Sequence, residues 1–222
     1  MKIEFDKYEK IIIGLGEGFN TVIPGEKGME ETEKLRYIRT HVDTNIVEAY
    51  NRLADALQGR DYYVITTCTD DLILKSRLEN ERIVAPCGGF GFFQCPEDCN
   101  HELLPFEEEY MENDLPKCPH CGKQVVFNRL PMEHYNEGGY LEKWQEYNKW
   151  LQSTINKPLL ILEVGVDMTY PTVIRFAFEK LALFNKKSKM YRVHPTLAFA
   201  TPEIKESCEC VTMGPVEFLM NL

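Results

Sequence analysis

KIIIGLGEG, Lys10 to Gly18, runs three consecutive isoleucines into a turn with glycine at Gly14, Gly16 and Gly18. A short β-branched apolar run bounded by glycine has the length of a buried strand rather than a helix. A strand feeding a G-x-G-x-G turn would let backbone amides approach a pyrophosphate, so these three glycines are candidate cofactor contacts. The same glycines would serve a plain tight strand-to-helix connection equally well.

Working outward, a helical region is expected from about Glu31 to Leu57, with Ile46, Val47, Tyr50, Leu53 and Leu57 at helical spacing. Thr44 or Asn45 would cap its second half and Gly59 would stop it. YYVITT, Tyr62–Thr67, has the β-branched and aromatic content of a central parallel strand. Asp70 and Asp71 are expected to open a short helix through Leu78, followed by a strand at Arg82–Ala85. Further on come a helix at Tyr140–Thr154, a strand at Leu159–Val164, a helix at Val173–Phe184, a strand at Lys189–Val193 and a short helix at Val216–Asn221. Strands alternating with helices predict an α/β fold with a Rossmann-like parallel sheet covered on both faces.

From Gly88 to about Lys123 glycine, cysteine, proline and acidic residues replace any sustained period. The domain expectation is a large unit of residues 1–87 and 124–222, with 88–123 as a small zinc-ribbon insert. Cys95 and Cys99 in CPEDC, and Cys118 and Cys121 in CPHCG, form two knuckles whose four thiolates can close a tetrahedron around zinc. A closed shell makes such a metal structural and leaves no position for substrate. His101 and His120 are near enough in sequence to substitute, but four cysteines already fill the shell.

The chain has 222 residues, 35 acidic against 25 basic, and a net charge of -10. That field repels phosphate backbones, and no basic stripe in the sequence offsets it, so nucleic-acid binding is excluded as an expectation. No apolar stretch has the length to span a bilayer, and MKIEFDKYEK lacks a signal peptide's apolar core. With eight cysteines and no export signal, metal binding or free thiols are expected rather than disulfides, and the expected address is cytoplasmic.

Several segments, in order, resemble the sirtuin family. Ile23-Pro24 stands where that signature has Ile-Pro, and NIVEAYNRLADALQGRDYYVITTCTDDL resembles the helix and strand leading to its Thr-Gln-Asn-x-Asp motif. Cys87-Gly88 takes the place of the catalytic histidine and its glycine, and the four cysteines match the family's zinc module. VVFNRLP resembles the segment after that module, and LEVGVDMTYPTVIRFAFEKL the later nucleotide-binding segment. The likeness is nearest to the macrodomain-linked bacterial sirtuins and runs from about residue 10 to 220.

It implies NAD and zinc as cofactors and a protein substrate, with a lipoyl-carrier-like protein among the candidates. Asp70 and Gly165 join the glycine turn as implied NAD contacts, Asp70 most simply as a carboxylate that touches the nucleotide or supports that contact, and otherwise as an N-cap of the helix that follows. The departures fall on the catalytic positions: Cys68 replaces asparagine and Cys87 the general-base histidine. Gly25-Glu26-Lys27 replaces Asp-Phe-Arg, and Val193-His194 replaces Ile-Asn. Cys68 and Cys87 are expected to face each other across one pocket as small fillers, a redox pair or a nucleophile. Arg175 matches an arginine of the macrodomain-linked proteins and would polarise ribose or steer a phosphate, or else be a surface or capping arginine. The expected activity is NAD-dependent protein ADP-ribosylation, with deacylation second because the base is missing. The alternative is a catalytically silent module that binds NAD or ADP-ribose. Cys208 and Cys210 in ESCECV are expected to be peripheral thiols.

Overall fold

A computed structural model describes residues 3–26, 28–111 and 115–222; Lys27 of the departing Gly25-Glu26-Lys27 stretch lies outside them. Six strands form a parallel sheet in the order β3-β2-β1-β7-β8-β9. They are β1 (Lys10–Leu15), β2 (Tyr62–Thr66), β3 (Ile83–Val84), β7 (Leu159–Val164), β8 (Ser188–Val193) and β9 (Cys208–Val211). From central β1 the chain steps outward to β2 and β3, then returns to β7 on the other side and steps out to β8 and β9. The order therefore reverses between β1 and β7, and the turns after these two strands flank the crevice where such sheets take ligands.

Alternation along the strands supplies two cores. Ile11, Ile13, Leu160, Leu162 and Val164 face one cluster with Tyr50, Leu53 and Leu219. Ile12, Leu159 and Ile161 face the other, with Trp150, Ile174 and Phe178. The covering helices are α1 (Glu31–Thr40), α2 (Thr44–Ala56), α3 (Leu141–Gln152), α4 (Arg175–Phe184) and α5 (Pro215–Met220).

The long first helical region is thus two helices. The second is capped not by Thr44 or Asn45 but by Asp43, whose carboxylate accepts from the Asn45 and Ile46 amides. The helix expected after Asp70 and Asp71 is a single 3-10 turn, Leu72–Lys75, entered through Asp71 in the left-handed region at φ 58°. ESCECV contains edge strand β9, with Cys208 buried and Cys210 exposed, both outside the four-cysteine group.

The irregular stretch holds a second, antiparallel sheet of β4 (Gly88–Gln94), β5 (Leu103–Pro105) and β6 (Val126–Arg129), in the order β5-β4-β6. β6 lies past residue 123, so the sheet takes in more chain than the expected insert. Its aromatics Phe90, Phe93 and Phe127 merge with the core cluster that covers β1 and β2.

β7 buries a carboxylate, Glu163, directly opposite Arg192 of β8 in the strand register. Arg192 Nε and Nη2 donate to the two Glu163 oxygens at 2.7 and 2.9 Å, and Nη1 donates to Glu179 at 2.8 Å and to the Phe199 carbonyl at 2.7 Å. Removing one partner from a buried pair strands the other charge. Arg192→Met is expected to cost about 3–5 kcal/mol, read from urea unfolding.

Candidate functional site

The carboxyl ends of β1, β2 and β7 converge on one cleft through short turns. Gly16 and Gly18 of the glycine turn donate their N–H groups to the carbonyls of Val164 (3.0 Å) and Gly165 (2.9 Å). A side chain on Gly16 would run into the Val166 backbone, and one on Gly14 into Ile174 and Phe178. The spacing of these two glycines is accounted for by close approach between β1 and the β7–α4 connection. Since the Gly16 and Gly18 amides are already committed to protein carbonyls, a substitution at Gly16 would report on folding before it reported on any ligand. Gly165 turns the end of β7 at φ 67°, its own N–H donating to the Val193 carbonyl at 2.9 Å.

Asp70 is a buried latch. Its Oδ2 accepts from the Thr21 amide and hydroxyl at 2.8 and 2.9 Å, and its Oδ1 from the Leu72 amide at 3.1 Å. Burial pushes its carboxyl above the usual range. Together with Asn20, which accepts from the Thr69 amide at 3.0 Å, it pins the loop after the glycine turn onto the end of β2.

Cys68 and Cys87 are both buried, with separate neighbours. The Cys68 thiol donates to the Gly16 carbonyl at 3.0 Å and receives the Tyr50 hydroxyl at 3.9 Å. Cys87 lies among Tyr135, Tyr140 and Tyr170. No hydrogen bond joins the two thiols among the described residues. Burial raises both, Cys68 far above a normal thiol and Cys87 to about 12. A nucleophile needs the thiolate, and burial disfavours that form at both positions.

Arg175 is neither a surface nor a capping arginine. It is 1% exposed, donates to Glu163 at 3.3 Å and to the Leu197 carbonyl at 3.0 Å, and lies over the Phe199 ring at 4.7 Å. With its guanidinium spent on Glu163 and on the loop after β8, this residue positions that loop.

The residue that sequence reading passed over is Glu17, between Gly16 and Gly18. Its Oε2 accepts from the Asp167 amide at 3.3 Å, across the switch point. Burial first, and then the charge of Asp167, pushes its carboxyl above the ordinary range. Its field reaches both Cys68 and Cys87. Thr67 Oγ1 lies beside it, buried, without a partner of hydrogen-bonding geometry, and the buried Tyr135 hydroxyl is unpartnered too. Buried polar atoms are nearly always paired in folded proteins, so the Thr67 hydroxyl beside Glu17 is a candidate ligand contact. The signal for Glu17 was its position: an acid between two glycines at the end of a central strand.

Alongside the cleft a cavity of about 580 Å³ opens between the loop at Glu26 and the segment Arg129–His134. Its ionic wall is internally paired, with Lys34 on Glu31 at 2.6 Å and Arg129 on Glu31 at 3.0 Å. Asp71 ties the β2 turn to the small sheet, accepting from the Phe90 amide at 2.6 Å against Gly89, where any side chain would strike its carboxylate. Burial lifts its carboxyl from 3.8 to about 6. The folded state therefore holds that proton more tightly, and this group's contribution to stability falls as pH rises from about 4 to 6. Asp71→Asn keeps an acceptor for Phe90. It is expected to add up to about 3 kcal/mol at pH 7.5 and nothing near pH 3.5, compared by urea unfolding at the two values.

The sulfurs of Cys95, Cys99, Cys118 and Cys121 lie within 4.8 Å of one another, with 3.5 Å between Cys95 and Cys121 and between Cys99 and Cys118. A tetrahedron with metal–sulfur bonds of about 2.3 Å needs similar separations. Backbone N–H groups of the knuckles lower the Cys95 thiol to about 6 and bring Cys118 down as well, while contacts between the sulfurs push Cys99 up and Cys121 is raised with it. His101 and His120 turn to Asp98 and Glu102 instead. Among the described residues no helix is long and apolar enough to cross a membrane.

No family model matches the chain. A protein ADP-ribosyltransferase of Staphylococcus aureus strain Mu50 is 20% identical over 193 residues, 75% of this chain and 59% of that protein. A probable bifunctional ADP-ribose hydrolase/ADP-ribosyltransferase of Fusarium oxysporum f. sp. cubense is 26% identical over 143 residues, 56% of this chain and 24% of its own length. The chain therefore spans less than two thirds of either relative. A solved structure described as Sir2-p53 peptide-NAD+ superposes with a TM-score of 0.60 at 16% identity, covering 97% of this chain and 92% of its own. Another, Sir2 bound to acetylated peptide, gives 0.59 at 16% identity, with the same coverage of both chains. These structural likenesses fix the fold, and the ordered site segments agree with it. In fold the chain is similar to the sirtuins.

Proposed function

We propose that the cleft between the β1 and β7 turns binds NAD and transfers its ADP-ribosyl group to a protein acceptor. The observation that carries this reading is Glu17 beside the unpartnered Thr67 hydroxyl at the switch point of a sirtuin fold. NAD supplies an ADP-ribosyl group whose ribose carbon becomes electron-poor as neutral nicotinamide leaves. Glu17 holds a negative charge in the cleft where that positive charge develops, and its Oε accepts the proton of the attacking acceptor. Its upward-shifted carboxyl makes it a stronger base than an exposed glutamate. Asp70 and Asn20 hold the loop that would close over the ligand, and Arg175 and Arg192 hold the loop after β8.

Deacylation ranks below transfer, because a thiol at about 12 cannot replace an imidazole base at Cys87. The acceptor class placed first is a lipoyl-carrier-like protein, and the compartment the cytoplasm. Cys95, Cys99, Cys118 and Cys121 would hold a structural zinc that ties β4 and β5 to β6. A second reading, a silent NAD or ADP-ribose module, is favoured by the committed amides of Gly16 and Gly18.

The test is calorimetric titration with NAD, followed by incubation with adenylate-labelled NAD and a lipoyl-carrier protein. Saturable heat and label on the carrier are expected, with an acetyl-lysine peptide left acetylated. Heat without label would favour the silent module, and absence of both would sink the nucleotide site.

A further inference from the structure

The ends of α3 and α4 frame a groove of about 550 Å³, within the range of sites that take a ligand or a partner's side chains. Leu151 and Leu181 line it, and Ile155 and Phe184 stand on it 68% and 78% exposed. Burying bulky apolar groups is favourable, and a contiguous exposed set rimmed by polar residues marks an interaction surface. α3 ends just before β7 begins, and α4 just before β8 begins, so the groove sits at the edge where the parallel strands start. The cleft lies at the opposite edge, one strand length or about 20 Å away.

The charge around this groove runs against the rest of the molecule. On a chain with 35 acidic residues, none of the described ones lines it. Lys180 lines it, and Lys149 and Lys186 adjoin lining residues in the chain. All three are exposed, and none has an ion pair among the described residues. Lys157, also adjacent, is balanced by Glu9 at 2.9 Å. Three unpaired cations around an apolar groove on a protein of net charge -10 are complementary to an anionic partner.

We propose that this groove docks an acidic amphipathic segment of a protein partner, its apolar side chains entering between Ile155 and Phe184 and its carboxylates meeting the lysines. A second copy is the poorer occupant, because a two-fold contact would set the same lysines against each other. An anionic membrane is poorer too, since the groove is concave and offers only two protruding side chains. The distance to the cleft makes docking a tether rather than a catalytic contact, and the proposal stands independently of the NAD reading.

The probe is a fluorescent synthetic helix carrying leucines at three- and four-residue spacing and glutamates elsewhere, followed by anisotropy. Its comparator has lysine for every glutamate. Saturable binding of the acidic peptide is expected, roughly tenfold weaker when salt rises from about 50 to 500 mM. Ile155→Ser with Phe184→Ser, and separately Lys180→Glu with Lys186→Glu, should each weaken it by roughly tenfold or more. These side chains are exposed, so both variants should keep the wild-type circular dichroism. The proposal is overturned if the acidic peptide fails to saturate, or if the basic peptide binds as well. It is also overturned if the groove variants abolish attachment to phosphatidylserine vesicles or self-association in the ultracentrifuge rather than peptide binding.

Discussion

Under the proposed NAD reading, Glu17→Gln is expected to lower nicotinamide release by about 100- to 10,000-fold, the usual effect of losing a positioned general base. NAD affinity is expected to change little, because glutamine keeps an oxygen to accept the Asp167 amide. The pH profile separates a catalytic from a structural role. Burial and Asp167 raise the Glu17 carboxyl, so the base form fills, and the rate climbs, only as pH passes above that raised value. The glutamine variant has no such limb. A second readout needs no substrate. A carboxyl raised in the folded state opposes folding once ionised, so the variant should unfold at higher urea at neutral pH than wild type. A variant that releases nicotinamide at the wild-type rate would remove Glu17 from the chemistry.

The other large effect lies at the four cysteines. Wild-type protein should carry about one zinc per chain, and Cys118→Ser should lose the metal together with the small sheet. Apparent binding free energies of structural zinc, about 10–16 kcal/mol, match or exceed a domain's whole stability of about 5–15 kcal/mol. β4 runs into Cys95 and β6 follows Cys121, so without the metal the sheet keeps only a few ladder bonds and its aromatics. Elemental analysis gives zinc content, and near-ultraviolet circular dichroism of the variant reports Phe93 and Tyr110 packing. A well-folded wild type without zinc contradicts this assignment.

The parallel sheet was legible because its strands are buried on both faces and read as unbroken apolar runs, as at Ile11–Ile13 and Leu159–Leu162. β9 was not, because an edge strand reading CECV has neither that run nor a clear alternation. The small sheet was hidden by glycines. Gly88, Gly89 and Gly91 interrupt any pattern in β4, although at Gly89 the reason is tertiary, the approach of Asp71. The cysteine knuckles were readable because spacing alone defines a ligand set, and the four sulfurs do converge.

The catalytic residues were the hardest part. Family positions carried onto Cys68, Cys87 and Arg175 fall on side chains that the fold buries. Spacing does not encode burial and pairing. Arg175 gave no hint in sequence that Glu163, twelve residues earlier, would claim it. Glu17 was overlooked because its glycine neighbours were read as a phosphate turn.

Nicotinamide release from NAD by purified wild-type protein under reducing conditions is the most direct measurement. A transferase built around Glu17 predicts release well above the uncatalysed rate, stimulated by a protein acceptor, intact in Cys68→Ala and Cys87→Ala and lost in Glu17→Gln. Release at the background rate in every sample, or release abolished by Cys87→Ala while Glu17→Gln stays active, would contradict it.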